Sequence, residues 1–367
     1  MRKVLGFFRK ELVLTIALAL ALLSMLPVHP DAGYKDYVDY DVLMLLFSLM
    51  AVVAGLKKQG VFDRIASTLI RCGKNLRRLS LLLVLACFFV AMVVTNDVAL
   101  ITFVPLTAGM LAGASPMTLI YVVTLETVAA NLGSMATPIG NPQNLYLYAH
   151  YGMAGGDFVK AVLPLTGVSL VLLIAACLPI GRNAMEAKRE ERAALSVWRL
   201  CLYGALLALC ILSVFKVLPK YVCCVAVFVC LLIVDRKVLL QVDYALLATF
   251  VCFFVLVGNI ARLDAVSSFL SGFIANRELE AGILASQVIS NVPAALMLSG
   301  FTANAAALMQ GVDVGGLGTL VASLASLISY KAYMKIPGAK AGKYLAVFTV
   351  VNLAFLAVLY AFAKLAL

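Results

Sequence analysis

Val94-Thr95-Asn96-Asp97-Val98-Ala99-Leu100 and Ile289-Ser290-Asn291-Val292-Pro293-Ala294 are each a polar step inside an otherwise apolar run, placed far apart in the chain. A second small-residue break follows each, Leu132-Gly133-Ser134-Met135-Ala136-Thr137 in the first half and Leu317-Gly318-Thr319-Leu320-Val321-Ala322 in the second. Before both pairs, Asp39-Tyr40 and Asp243-Tyr244 open an apolar stretch that reaches a glycine, Gly55 or Gly258. Three landmarks in the same order point to an internal repeat, and a duplicated polar break in apolar sequence points to transport across a membrane.

The composition sets the solvent. Of 367 residues, 64% are apolar and 13% charged, and the mean hydropathy is +1.05. A soluble domain carries about 25% charged residues, so the chain reads as an all-α polytopic membrane protein with no separate soluble domain. The basic, apolar N-terminus lacks a small-residue cleavage site after Leu26-Pro27-Val28-His29-Pro30 and reads as a retained first helix.

A span needs ~20 residues to cross ~30 Å of hydrocarbon. On that measure the sequence predicts about nine crossings, at 11–28, 40–57, 116–149, 157–181, 197–216, 218–234, 241–260, 314–335 and 341–366. The runs 79–111 and 281–309 are too long for one helix and too short for two crossings with a loop, and read as re-entrant hairpins with the polar steps at their tips. The first repeat then covers 1–181, with hairpin 79–111 and broken helix 116–149. Residues 182–217 form a cytoplasmic loop and linking helix, and 218–367 the second repeat, with hairpin 281–309 and broken helix 314–335. The single linking helix inverts the second repeat, so the fold expected is nine helices and two hairpins in an inverted-topology repeat.

The charges agree with that count. With the N-terminus cytoplasmic, most of the 29 Lys and Arg fall on the cytoplasmic side, among them Arg2, Lys3, Arg9, Lys10, Lys57, Lys58, Arg77, Arg78, Arg182, Arg199, Arg236, Lys237, Lys331 and Lys335. The net charge of +11 is thus topology and contact with anionic lipid of the cytoplasmic membrane, not a nucleic-acid surface. Segments 57–78 and 261–278 read as amphipathic stretches lying along the membrane surfaces.

Chemistry is expected where polar groups enter hydrocarbon. Ionised at the bilayer centre, Asp97 would cost ~2.5–3.5 kcal/mol, so it is expected to be paired, protonated or bound to a cation. Glu126, ahead of the Asn131-Leu132-Gly133 break, either senses a bound ion or is a hydrogen-bonding strut. Unwound turns expose carbonyls to cations and helix N-termini to anions. Gly133, Ser134, Thr137, Pro138, Gly140, Asn141, Pro142 and Asn144 supply such a turn in the first half. Gly318, Thr319, Ser323 and Ser326 do so in the second. Close packing of small residues explains Gly315, Gly316 and Gly318 nearly as well.

Thr95 to Ile101, the stretch Glu126 to Asn144 containing Asn131-Leu132-Gly133-Ser134 and Thr137-Pro138-Ile139-Gly140-Asn141-Pro142-Gln143-Asn144, and Ser290-Asn291-Val292-Pro293 resemble the tips and broken helix of a known superfamily. It includes arsenite permeases, sodium/proton antiporters of the arsenite-permease type, and citrate or dicarboxylate transporters. The resemblance spans about residues 35–335 and implies a secondary transporter, commonly homodimeric, with ion sites near Asn96 and Asn291 and substrate between them. Its dicarboxylate branch carries Ser-Asn-Thr at both tips. Here Asp97 and Val292 stand in the third position, which disfavours a bare dicarboxylate.

The function expected is therefore a secondary transporter of a small anion, oxyanion or carboxylate, citrate- or arsenite-like, coupled to H+ or Na+ through Asp97. A Na+/H+ antiporter is the alternative. The candidate ion and substrate residues are Thr95, Asn96, Asp97, Glu126, Asn131, Gly133, Ser134, Thr137, Pro138, Gly140, Asn141, Pro142, Asn144, Ser290, Asn291, Pro293, Gly318, Thr319 and Ser323. No cofactor or bound metal is expected. The nine cysteines include no Cys-x-x-Cys, and neither His29 nor His150 has a partner at ligand spacing. An intramembrane enzyme is disfavoured because Asp97 has no second membrane aspartate, and no buried serine–histidine pair is offered. Trp198, Tyr146, Tyr148 and Tyr151 are expected to anchor at the membrane interface.

Overall fold

In the computed structural model, residues 11–62, 64–65, 75–111, 113–183 and 196–366 are described, and every regular element among them is helical. In the first half these are α1 (Leu12–Ser24), α2 (Tyr40–Lys58), α3 (Leu76–Ala91), α4 (Asn96–Met110), α5 (Pro116–Ser134), α6 (Pro142–His150) and α7 (Gly155–Cys177). Then come α8 (Val197–Val214), α9 (Lys220–Leu239), α10 (Tyr244–Ala261) and the short α11 (Asp264–Ile274). The chain ends with α12 (Glu278–Ile289), α13 (Asn291–Ser299), α14 (Ala305–Gly315), α15 (Leu324–Tyr333) and α16 (Ala341–Ala366).

Six described helices, α2, α5, α7, α8, α10 and α16, are long and apolar enough to cross a membrane. The protein is a polytopic helical membrane protein. Its apolar exterior follows from that solvent: Leu163, Val171, Ile233 and Val350 are more than half exposed, as lipid-facing side chains would be.

Helix starts are written locally. Asp39 and Asp243 cap α2 and α10 by accepting from the amides of Val42 and Leu246, at 3.0 and 2.9 Å. Ser115-Pro116 and Asn141-Pro142 start α5 and α6 with a capping side chain followed by proline at the first helical position.

One group of helices forms a framework. α2 and α9 run parallel, with Lys220 bonded to Asp41 at their starts and Lys58 to Asp235 at their ends, 2.9 and 2.7 Å. α8 lies on α2 where Gly55 leaves no room for a β-carbon beside the ring of Tyr203, and α1 lies on α10. The α1–α2 connector is held to α10 by Arg262, which bonds Asp31 at 2.8 Å and sits over the Tyr37 ring. That guanidinium holds the Asp31 carboxyl below the usual carboxylate range.

The other group carries the polar steps. α3 and α4 form one hairpin against α5, and α12 and α13 form another against α14. The halves interlock, since α15 packs on α4 of the first hairpin and α6 on α13 of the second. Two apolar cores meet at the tips, one holding Leu145 and Val292, the other Ala99, Leu132 and Leu317.

Several boundaries differ from expectation. The second hairpin closes at Ser299 and the broken helix begins at Ala305, not 314. The turn between them is fixed by Asn304, which accepts from the Ala307 amide at 3.2 Å, and by Thr302, which donates to Glu278 at 3.0 Å. Ser299, Gly300, Thr302 and Asn304 are turn signals in the sequence, but the alanines and leucines on either side extend the apolar run past them. α1 is a 13-residue helix within the expected 11–28 span. α9 continues past 234 through a kink at Asp235 (φ −157°, ψ 71°), which brings three charges into its end. Of segment 57–78, residues 63 and 66–74 lie outside the described residues. Tyr146 and Tyr148 are buried rather than interfacial, with Tyr146 sharing a 2.7 Å hydrogen bond with Ser299, whereas Trp198 is exposed.

The two ion pairs differ in what they leave behind. Asp235 is 8% exposed and Asp41 57%. Lys58→Ala should therefore lower stability by about 1–3 kcal/mol, by stranding a covered carboxylate, and Lys220→Ala by less than about 1 kcal/mol. Thermal denaturation in detergent checks that order.

Candidate ion and substrate site

At the first tip, Thr95 precedes α4 in extended conformation, leaving the amides of the helix start free to meet other groups. The Asn96 amide donates to the Gly140 carbonyl at 3.3 Å, and its side-chain carbonyl accepts from the Asp97 amide at 3.0 Å. The second tip repeats both bonds: the Asn291 amide donates to the Ala322 carbonyl at 2.9 Å, and Asn291 Oδ1 accepts from the Val292 amide at 3.0 Å. Ser290 reaches this geometry with φ +74°, uncommon for a residue with a β-carbon, and is 1% exposed. Pro293 is buried in the first turn of α13.

Each break is tied to its own hairpin. Thr137 donates to the Met92 carbonyl, and Thr319 to the Gln287 carbonyl at 3.2 Å. A β-carbon on Gly133 would strike the backbone of Phe88, and one on Gly315 the backbone of Ile283. Gly140 likewise lies against the Ser134 carbonyl, with Pro138 buried beside it. Gly318 has a different task, a φ of +103° that the second break requires.

These contacts correct the alignment of the two halves. Gly133 corresponds to Gly315 and Thr137 to Thr319 at one constant spacing, so the breaks match three residues away from the Gly133–Gly318 pairing that composition suggests. On the corrected register Asn131 corresponds to Asp313, and Asn141 to Ser323.

That register exposes a crossed brace. Asn131 Oδ1 accepts from Asn96 Nδ2 at 3.1 Å and from Ser323 Oγ, of the other half, at 2.9 Å. In mirror fashion Asp313 Oδ1 accepts from Asn141 Nδ2 and Gln143 Nε2, each at 3.3 Å. Asn141 and Ser323 are also the residues that begin α6 and α15, accepting from the amides of Asn144 and Ala325. Ser134 donates to the Asn131 carbonyl and receives Asn141, while Asn144 donates to the Met135 carbonyl. The two breaks and the first tip are one hydrogen-bonded unit.

Not every candidate joins it. Glu126 is fully buried but turned to Thr107 of α4, whose hydroxyl donates to it. Thr319 is exposed. Two residues that carry the site lie outside the candidate set. Gln287 donates to the carbonyls of Gly315 and Leu317 at 2.8 and 3.0 Å and accepts from the Thr319 amide at 2.9 Å, closing the second break. Asp313, a carboxylate 2% exposed, sits at the centre of the brace. The signal for it was an aspartate inside an apolar run, masked by the misplaced hairpin boundary.

A cleft of about 620 Å³ reaches the first tip, lined by Thr95, Asp97, Pro142, Lys57, Lys58 and Asp243 among others. Lys57 and Lys58 end α2, so the cleft leads from one charged surface to Asp97, of which one oxygen is buried without a partner. The second tip is more enclosed: Ser290, Asn291 and Val292 are all buried, whereas Thr95 and Asp97 of the first tip are partly exposed, and α13 packs on α10.

The sequence profile described as "Citrate transporter" matches residues 4–328. The chain is similar to the inner membrane protein YbiR of Escherichia coli, 32% identical over 328 residues, covering 87% of this chain and 86% of that one. It is 28% identical over 358 residues to an uncharacterized transporter of Methanocaldococcus jannaschii, covering 95% and 96%. A shorter similarity, 29% over 153 residues, links 41% of this chain to 31% of the silicon efflux transporter LSI3 of rice.

If the brace couples the halves, Asn131→Ala and Ser323→Ala should be non-additive in stability, with a coupling of about 1 kcal/mol. Asn131→Ala with Lys220→Ala, at the distant framework ion pair, should add. Double-mutant denaturation in detergent reads both.

Proposed function

The chain belongs to the citrate transporter family, and we propose that within it the protein is a cation-coupled secondary transporter of a small oxyacid or oxyanion, with Asp97 holding the coupling cation at the entrance to the site. One observation carries this reading: the tips and breaks bring together carboxylates, amides, hydroxyls and main-chain groups, and no lysine, arginine or histidine is among the buried polar residues described. A multivalent anion such as citrate, once past Lys57 and Lys58 of the cleft, would meet no buried cationic side chain at the tips and breaks. A cation seated at Asp97 supplies the missing charge, which makes co-transport a condition of binding.

The cleft supports a one-sided access state. It opens on the side of Lys57 and Lys58, which the distribution of basic residues assigns to the cytoplasm, with the second tip buried. Alternation would then consist of closing the first tip and uncovering the second, an inverted-repeat exchange in the cytoplasmic membrane. Cargo binds between Asn96 and Asn291, whose side chains stand at the starts of α4 and α13, where helix N-termini favour oxygen-rich ligands.

A Na+/H+ antiporter is the second reading, favoured by the same carboxylate at the cleft and by the same lack of buried positive charge. Flux in proteoliposomes separates the two. Exchange of Na+ for H+ without organic or inorganic cargo supports the antiporter, and cargo uptake driven by either gradient supports the co-transporter.

Asp97→Asn, nearly isosteric, should fold as the wild type and lose at least tenfold of gradient-driven flux while keeping downhill exchange of cargo. Flux that retains its full Na+ or pH dependence in this variant removes Asp97 from the coupling role.

A further inference from the structure

Asp313 has more unsatisfied chemistry around it than the brace uses. Its Oδ1 accepts two amide donors, but Oδ2 is buried without any hydrogen-bond partner. Gln143 Oε1 and Asn144 Oδ1 are likewise buried and unpartnered. Gln143 is bonded to Asp313 through its other side-chain atom, and the Asn144 side chain also approaches the carboxylate. The carboxylate oxygen without a partner, and two neighbouring amides whose own oxygens are unpartnered, leave the cluster short of positive charge.

The repeat sharpens this. At the corresponding place in the first half stands Asn131, a neutral amide whose Oδ1 takes the matching bond across the halves, from Ser323, and a second from Asn96 of its own half. Exchange of that amide for a carboxylate adds one negative charge at matched geometry, on one side only. The buried surroundings provide no lysine, arginine or histidine to answer it, and no described ion pair includes Asp313. A bare buried carboxylate is strongly disfavoured, and orphaned oxygens beside it add to the cost.

We infer that Asp313, with Gln143 and Asn144, forms a monovalent cation site, distinct from Asp97, that binds Na+ or H+ at the junction of the two halves. It rests on the transporter reading for its purpose but not for its existence. A Na+ ion at Oδ2 would draw the amides of Gln143 and Asn144 round to present their oxygens as ligands; a proton on Oδ2 would satisfy that atom and donate to one amide oxygen so turned. In either case the ion sits on the bond between α6 and α14, so occupancy sets the strength of the joint between the halves.

Binding can be read without transport. Purified protein is titrated calorimetrically with NaCl against choline chloride, and its proton uptake is followed by acid–base titration, for wild type, Asp313→Asn, Gln143→Met and Asp97→Asn. A Na+ binding step that is weakened at least tenfold in Asp313→Asn and several-fold in Gln143→Met, and that persists in Asp97→Asn beside any step of that residue's own which the variant loses, supports a sodium site. Absence of Na+ heat with one proton equivalent missing from the titration of Asp313→Asn alone supports a proton site. Equal Na+ binding and equal titration in wild type and Asp313→Asn overturn the inference. Should Asp313→Asn fail to fold, unchanged Na+ affinity and unchanged titration in Gln143→Met overturn it. Proteoliposome flux is scored separately: coupling lost in Asp97→Asn with cation binding unaltered in Asp313→Asn keeps the transporter reading and removes this site.

Discussion

Two interrupted helices place main-chain amides and carbonyls where no water completes them, and the rest of the structure is arranged around satisfying those groups. In hydrocarbon each orphan costs several kcal/mol, so a break survives only if protein supplies its partners. Here the partners come from the hairpin tips. Asn96 and Asn291 each give a main-chain amide to the break of their own half and use the side chain to hold their own turn. The polar residues at the tips thus have a structural duty before any ligand arrives, and a ligand must bind to what is left over.

Much of this was legible because polar residues in apolar sequence are conspicuous. The tips, the first break and the capping aspartates stand where composition and spacing put them, and the first hairpin closes within a few residues of its expected ends. The second half was harder for a physical reason. Its turn at 300–304 is made by Thr302 and Asn304 within a run of alanines and leucines, and small residues cluster so densely at 311–318 that several alignments score alike. Choosing among them requires knowing which glycine lacks room for a β-carbon and which needs a positive φ. Gly315 and Gly318 divide those tasks, and neither is visible from identity alone. Asp313 was lost with that register. Glu126 shows a different case, since the sequence leaves it open between sensing an ion and bracing the helix, and the structure bonds it to Thr107 of α4, away from the tips.

The framework and the site-bearing helices are held by different forces. α2 and α9 are clamped at both ends by ion pairs, and aromatic rings fill the spaces over Gly55 and Gly258. Around the tips, by contrast, most contacts are neutral hydrogen bonds among asparagine and serine, with Asp313 the one carboxylate in the brace. Neutral bonds of this kind contribute about 1 kcal/mol each, close enough to the exchange with a ligand or a water that they can be broken and remade singly. A molecule that must rearrange at its centre while keeping its shape at its periphery is well served by that division.

The absence of side chains at Gly133 and Gly315 also has a mechanical meaning. Backbone lies directly on backbone there, so a hairpin cannot slide along its broken helix even by the radius of a methyl group without collision. Hairpin and helix must travel as a single rigid lever. An ion held between tip and break, as proposed above, would be carried bodily with its coordination shell, and its release would wait until a surface outside that lever gives way.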